Sequence, residues 1–146
     1  MSVLIVDDSF EDGAALRNDL TRLGVTNPIR LTQSGIDAIA YLEGAPPYDD
    51  RQACPPPSAI LLDLKMPGMD GFEFLKWFRH QKRIETILVF VISATNDMAS
   101  IRRAYDLGAT SFLNKSYRRA ELKNLIEAFP SPWFRKDQVL AAPQIS

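Results

Sequence analysis

Runs of four to six apolar residues alternate along the chain with amphipathic segments of ten or more, as in β-α units built around a parallel sheet buried on both faces. Five strands are predicted, at about residues 2–7, 28–32, 59–63, 87–93 and 110–114. The most continuous run, Ile87-Leu88-Val89-Phe90-Val91-Ile92, is expected in the centre of the sheet. Pro28 suits the first position of a strand, where a missing amide donor does no harm.

The helices fall between and after these strands. The first is expected from about residue 10 to Leu23, with Leu16, Leu20 and Leu23 on one face and Gly24 as its left-handed stop. The second spans Ser34, its N-cap, to Glu43; Ile36, Ile39 and Leu42 face inward and Gly44 ends it. A third at about 71–82 turns Phe74, Leu75 and Phe78 inward, and a fourth at about 97–107 does so with Ile101, Ala104, Tyr105 and Leu107. The fourth is capped by Asn96 or Asp97 and stopped by Gly108. The fifth, about 118–129, uses Leu122, Leu125, Ile126 and Phe129 before Pro130 and Pro132 break the pattern. Residues 44–58 hold five prolines and read as one exposed loop. The expected fold is an open, doubly wound α/β sheet whose reactive crevice lies beyond the carboxyl ends of the strands.

Composition narrows the function. The length of 146 residues suits one domain with a full core, read as residues 1–129 followed by a short tail, 130–146, with no output domain. In that tail Trp133 and Phe134 either pack back on the fold or anchor a partner. A net charge of −1 gives no broad positive field for nucleic acid or an anionic membrane. Neither a signal peptide nor a membrane span is legible, so a cytoplasmic protein is expected. The single cysteine, Cys54, excludes an internal disulfide, and His80 has no matched acid or metal ligand.

The candidate chemistry sits at strand ends: the first strand ends in Asp7-Asp8, the third in Asp63, the fourth in Ser93 and the fifth in Asn114-Lys115. Carboxylates gathered at one sheet edge need a cation or a proton, and an all-oxygen donor set suits magnesium rather than zinc. An aspartate there can attack phosphorus and form an acyl phosphate, and Asp63 is best placed to do so. Lys115 and Ser93 then supply a cation and a neutral donor to phosphoryl oxygens.

With these motifs in view, the chain resembles a response-regulator receiver domain, the phosphoacceptor module of two-component signalling. The resemblance runs from residue 2 to about 129 and is carried by Val3-Leu4-Ile5-Val6-Asp7-Asp8-Ser9, Leu61-Leu62-Asp63-Leu64-Lys65-Met66-Pro67-Gly68-Met69-Asp70-Gly71, Val91-Ile92-Ser93-Ala94 and Ala109-Thr110-Ser111-Phe112-Leu113-Asn114-Lys115. It implies a flavodoxin-like sheet of order 2-1-3-4-5. It also implies phosphorylation of Asp63 by a histidine kinase, with magnesium held by Asp7, Asp8, Asp63 and the Lys65 main-chain carbonyl. Ser93 and Phe112 match the hydroxyl and aromatic that switch together, altering the face formed by helix four, strand five and helix five. The long loop before strand three and the expected absence of an output domain make the chain look closest to single-domain regulators that partner bacterial phytochrome-type kinases. A homodimer or a downstream phosphotransfer protein are further expected partners.

One position departs from the family pattern. Ser116 follows Lys115 where a proline in a cis bond is usual, so either a trans bond with a shifted loop or a strained cis bond is expected. The Lys65 ammonium either leans over the acidic site or is simply solvated. Two rivals stand beside the switch: a magnesium-dependent small-molecule phosphohydrolase using Asp63 as nucleophile, and a degenerate receiver acting as a constitutive binding module. Lys65, where a hydrolase would carry a second carboxylate, argues against the first; the intact acid, hydroxyl and lysine set argues against the second.

Overall fold

The computed structural model describes residues 1–81 and 86–135. Five strands, β1 (Ser2–Val6), β2 (Ile29–Thr32), β3 (Pro57–Leu62), β4 (Leu88–Ser93) and β5 (Ser111–Asn114), form one sheet in the order β2-β1-β3-β4-β5. Every pairing is parallel. Helices α1 (Phe10–Arg22), α2 (Gly35–Glu43), α3 (Gly71–Phe78), α4 (Met98–Asp106) and α5 (Arg119–Ala128) alternate with the strands, so the doubly wound class and the strand order follow as expected. The middle place belongs to β3, not to the longer apolar run of β4. Apolar continuity marks an interior strand; it does not rank the interior strands among themselves.

The sheet divides two cores. One face packs Leu4, Val6, Ile60, Leu62, Val89 and Val91 against α2, α3 and α4; the other packs Val3, Ile5, Leu61, Phe90 and Ile92 against α1 and α5. Strand residues alternate between the two faces because successive side chains point to opposite sides of the pleat.

Helix starts are set by side-chain caps. Ser9 accepts the Asp12 amide at the head of α1, Ser34 the Asp37 amide at α2, and Asp97 the Ala99 amide at α4. At α3, Asp70 accepts the Glu73 amide at 2.9 Å while Glu73 reaches back to the Asp70 amide, the reciprocal capping box. Helix α3 ends at Phe78; residue 82, to which it was expected to run, lies outside the described residues. Gly24, Gly44 and Gly108 follow α1, α2 and α4 with positive φ, as the stop signals predicted.

Two inward assignments are corrected. Ile36 is 68% exposed, because α2 turns Gly35, Ala38, Tyr41 and Leu42 to the sheet and Gly35 lies directly on Met69. Tyr105 is 44% exposed; α4 approaches the sheet through the small Ala104, which rotates its bulky neighbour outward.

The proline-rich loop is tied down at several points. Arg51 donates to the Leu42 and Cys54 carbonyls, Tyr48 donates to Asp37 at 2.7 Å, and Tyr41 donates to the Pro55 carbonyl at 2.9 Å. At the far end of the chain, Trp133 is completely buried and its ring lies 5.2 Å from that of Phe90. Its carbonyl accepts the Thr26 and Asn27 amides, while Asn27 and Ser58 donate to the Pro132 carbonyl. Of the two expectations for this segment, packing back on the fold is the observed one for residues 130–135.

Candidate functional site

Sheet hydrogen bonding continues one residue beyond β1, β3 and β5 and fixes the chemistry-bearing positions. The Asp7 amide donates to the Thr32 carbonyl, the Asp63 amide to Val6, and the Lys115 amide to Ser93. Parallel register therefore brings Asp7, Asp63, Ser93 and Lys115 to one edge, at the carboxyl ends of β1, β3, β4 and β5.

Asp7 and Asp63 are buried and Asp8 is exposed, and carboxylate oxygens of all three lie within 4.8 Å of one another. The backbone holds them loosely: Asp7 Oδ1 accepts the Ser9 amide at 2.9 Å and Asp63 Oδ1 the Lys65 amide at 3.4 Å. Their other oxygens meet Lys115 Nζ, at 2.9 Å for Asp7 and 3.2 Å for Asp63. Burial pushes the Asp63 carboxyl above the ordinary carboxylate value; Lys115 opposes that shift and the charge of Asp7 adds to it. For Lys115, burial disfavours the charged form, but hydrogen bonds to Asp12 and Asp7 and the charges of Asp63 and Asp7 prevail, so its pKa is raised and it stays an ammonium.

Donor chemistry tests whether a divalent cation fits. Three carboxylates converge without a histidine or cysteine among them, the set expected of a hard, oxygen-ligated ion such as magnesium. Beside them, Ser93 Oγ is fully buried and has no hydrogen-bond partner among the described residues. A buried hydroxyl without a protein partner is free to donate to a ligand oxygen that reaches it. The residues present fit both a cation and an oxyanion.

Other expectations resolve individually. Phe112 is half-buried, packed on the core beneath α2, α3 and α4. Lys65 is exposed, and no ion pair involves it among the described residues, which agrees with a solvated side chain. The Lys115–Ser116 bond is trans. Asn114 Oδ1 accepts both the Ser116 amide at 2.9 Å and the Ser116 hydroxyl at 2.7 Å, while its Nδ2 donates to the Thr95 carbonyl and to Asn96 Oδ1. The turn after Lys115 is thus held by side-chain hydrogen bonds bridging the β4–α4 and β5–α5 loops. Two contributors escaped the sequence reading: this Asn114 bracket, and Asp12, whose Oδ2 lies 2.9 Å from Lys115 Nζ. Asp12 lies in the first turn of α1, outside the motifs that marked the site in the sequence.

Comparison with known proteins agrees with this geometry. The response regulator receiver domain family matches residues 3–127. Response regulator Rcp1 of Synechocystis is 26% identical over 140 residues, covering 96% of this chain and 93% of its own. A solved response regulator in red-light signalling of R. palustris, RPA3017, superposes with a TM-score of 0.79 at 23% identity, covering 90% of this chain and 96% of that one. The phosphorylated cyanobacterial phytochrome response regulator RcpA gives 0.74 at 26% identity, with 90% and 92% covered. The chain belongs to the receiver domain family of response regulators, the phosphorylated signalling modules of two-component systems.

Proposed function

We propose that Asp63 is the phosphoacceptor of a magnesium-dependent switch, with Asp7, Asp8, Asp63 and the Lys65 main-chain carbonyl as the metal's ligands. The observation that carries this reading is the convergence of Lys115 on Asp63 beside the unpartnered, buried Ser93 hydroxyl. An Asp63 oxygen attacks the phosphorus of a kinase phosphohistidine; a P–O bond forms, the P–N bond breaks, and the imidazole nitrogen regains a proton. Magnesium held by Asp7, Asp8 and Asp63 would neutralise charge on the phosphoryl oxygens. A manganese-bound form is known for Rcp1, the Synechocystis relative, which supports a divalent ion here. Ser93 then donates to one phosphoryl oxygen and Lys115 pairs with another, satisfying the hydroxyl that is orphaned without phosphate.

The response is a shift in population: phosphate favours the arrangement in which Ser93 reaches it, Phe112 moves into the space released, and the face formed by α4, β5 and α5 changes its affinity for a partner. The unit is the receiver, residues 1–129, with 130–146 as its tail, working in the cytoplasm as a signalling acceptor rather than a turnover enzyme. The proposed phosphodonor is a sensor histidine kinase of the phytochrome type, a choice supported by the red-light and phytochrome regulators among its structural relatives. The readout is a second copy of the chain or a downstream phosphotransfer protein; the net charge of −1 favours protein partners over nucleic acid.

Incubation with acetyl phosphate and magnesium tests the reading. One labile adduct per chain in the wild type and none in Asp63→Asn is expected. Continuous release of inorganic phosphate at a constant high rate contradicts it in favour of a hydrolase, and no adduct contradicts it in favour of a constitutive binding module.

A further inference from the structure

Lys115 is held by three carboxylates, and one of them lies outside the metal cluster. Asp7 and Asp63 belong to the group of converging oxygens; Asp12 does not. Yet Lys115 Nζ is as near to Asp12 Oδ2, at 2.9 Å, as to Asp7, and nearer to it than to Asp63 at 3.2 Å. Asp12 occupies the first turn of α1, where its own amide donates to the capping Ser9 Oγ. Its side chain is 53% exposed against 9% for Asp7 and 6% for Asp63, so it approaches the ammonium from the solvent side.

An ammonium resting on Asp7 and Asp63 competes with a divalent cation for the same oxygens, since each carboxylate's charge is already partly compensated. A third carboxylate on the solvent side offers the ammonium a place to lean without losing its ion pair or its reach to Asp63. We propose that Asp12 is a positioning residue that shares the Lys115 ammonium and so eases entry of a divalent cation at Asp7, Asp8 and Asp63. This rests on the reading of those three residues as the metal's ligands.

A magnesium chloride titration followed by amide NMR, with no phosphodonor present, tests it on the full chain. Asp12→Asn should raise the half-saturating magnesium concentration about two- to fivefold, the range for a partly exposed ion pair. Asp12→Glu, which keeps the charge and can still reach the ammonium, should restore the wild-type value. A bare charge effect is separated in two ways: Glu11→Gln, which neutralises the preceding exposed carboxylate, should have a smaller effect, and in a Lys115→Met background Asp12→Asn should fall to the level of Glu11→Gln. Equal losses with and without Lys115, or no loss in the wild-type background, overturn the proposal. Absence of saturable magnesium binding in the wild-type chain overturns the metal reading itself, a result distinct from either.

Discussion

Ser93 holds a buried hydroxyl with no hydrogen-bond partner among the described residues. Because an unpaired buried hydroxyl costs about 1–3 kcal/mol, Ser93→Ala should leave stability unchanged or raise it by about 1 kcal/mol in urea unfolding. The same variant should bind beryllofluoride, a phosphoryl mimic, more weakly in the presence of magnesium. A large loss of stability would mean that the hydroxyl serves the fold instead. Ser93 and Asp63 were legible from sequence because each directly follows an apolar run, and Lys115 because it follows the last residue of the fifth strand; a parallel sheet brings such positions to one edge. Asp12 was less legible: its contact depends on the rotation of α1 relative to the β5–α5 loop, which strand pattern alone does not specify.

Among the elements, the start of α3 bears directly on the site. A Cβ at Gly71 would lie 2.6 Å from the Asp63 carbonyl oxygen and 2.6 Å from the Leu64 Cα, both backbone atoms. Gly71→Ala must therefore push the helix away from the loop carrying Asp63 and Lys65, at a cost of about 1–3 kcal/mol as in other overpacked sites. Weaker magnesium binding should accompany the lower urea midpoint; a stability loss with unchanged magnesium affinity would separate the helix from the site. The proline-rich loop gives a pH signature. Burial and the hydrogen bond to Asp37 push the Tyr48 phenol up to about 12 from its ordinary 10.0. The folded protein thus keeps Tyr48 protonated while the unfolded chain ionises, so this residue's contribution is complete below pH 10.0 and is lost as pH rises toward about 12. Tyr48→Phe should flatten that part of the stability profile, and an unchanged slope would contradict it. Helix existence was legible from periodicity, but helix facing was not at Ile36 and Tyr105. Which stripe turns inward was decided by close approach at Gly35 and Ala104, where small side chains let the helices sit near their neighbours.

For the whole molecule, residues 130–135 extend one of the two cores. Trp133 belongs to the core on the α1 and α5 side, although it lies after the last helix. Its replacement by alanine should cost about 3–5 kcal/mol, the range for deleting a large buried aromatic, read as a lower urea midpoint with phosphorylation retained in the folded fraction. A cost below about 1 kcal/mol, the scale of a substitution outside the core, would mean that the tail only rests on the fold. The doubly wound architecture was legible because alternating apolar runs and amphipathic segments admit few parallel arrangements. The tail's seat was not, because it depends on Thr26, Asn27 and Ser58 presenting donors to carbonyls more than seventy residues away in sequence. The central claim is that this edge of the sheet takes a phosphoryl group on one particular carboxylate. Borohydride trapping after treatment with acetyl phosphate and magnesium reads it directly, because reduction of an aspartyl phosphate leaves homoserine at the acceptor. Peptide mass spectrometry should find homoserine at position 63 alone; homoserine at position 7, 8 or 12, or at none, would contradict the account.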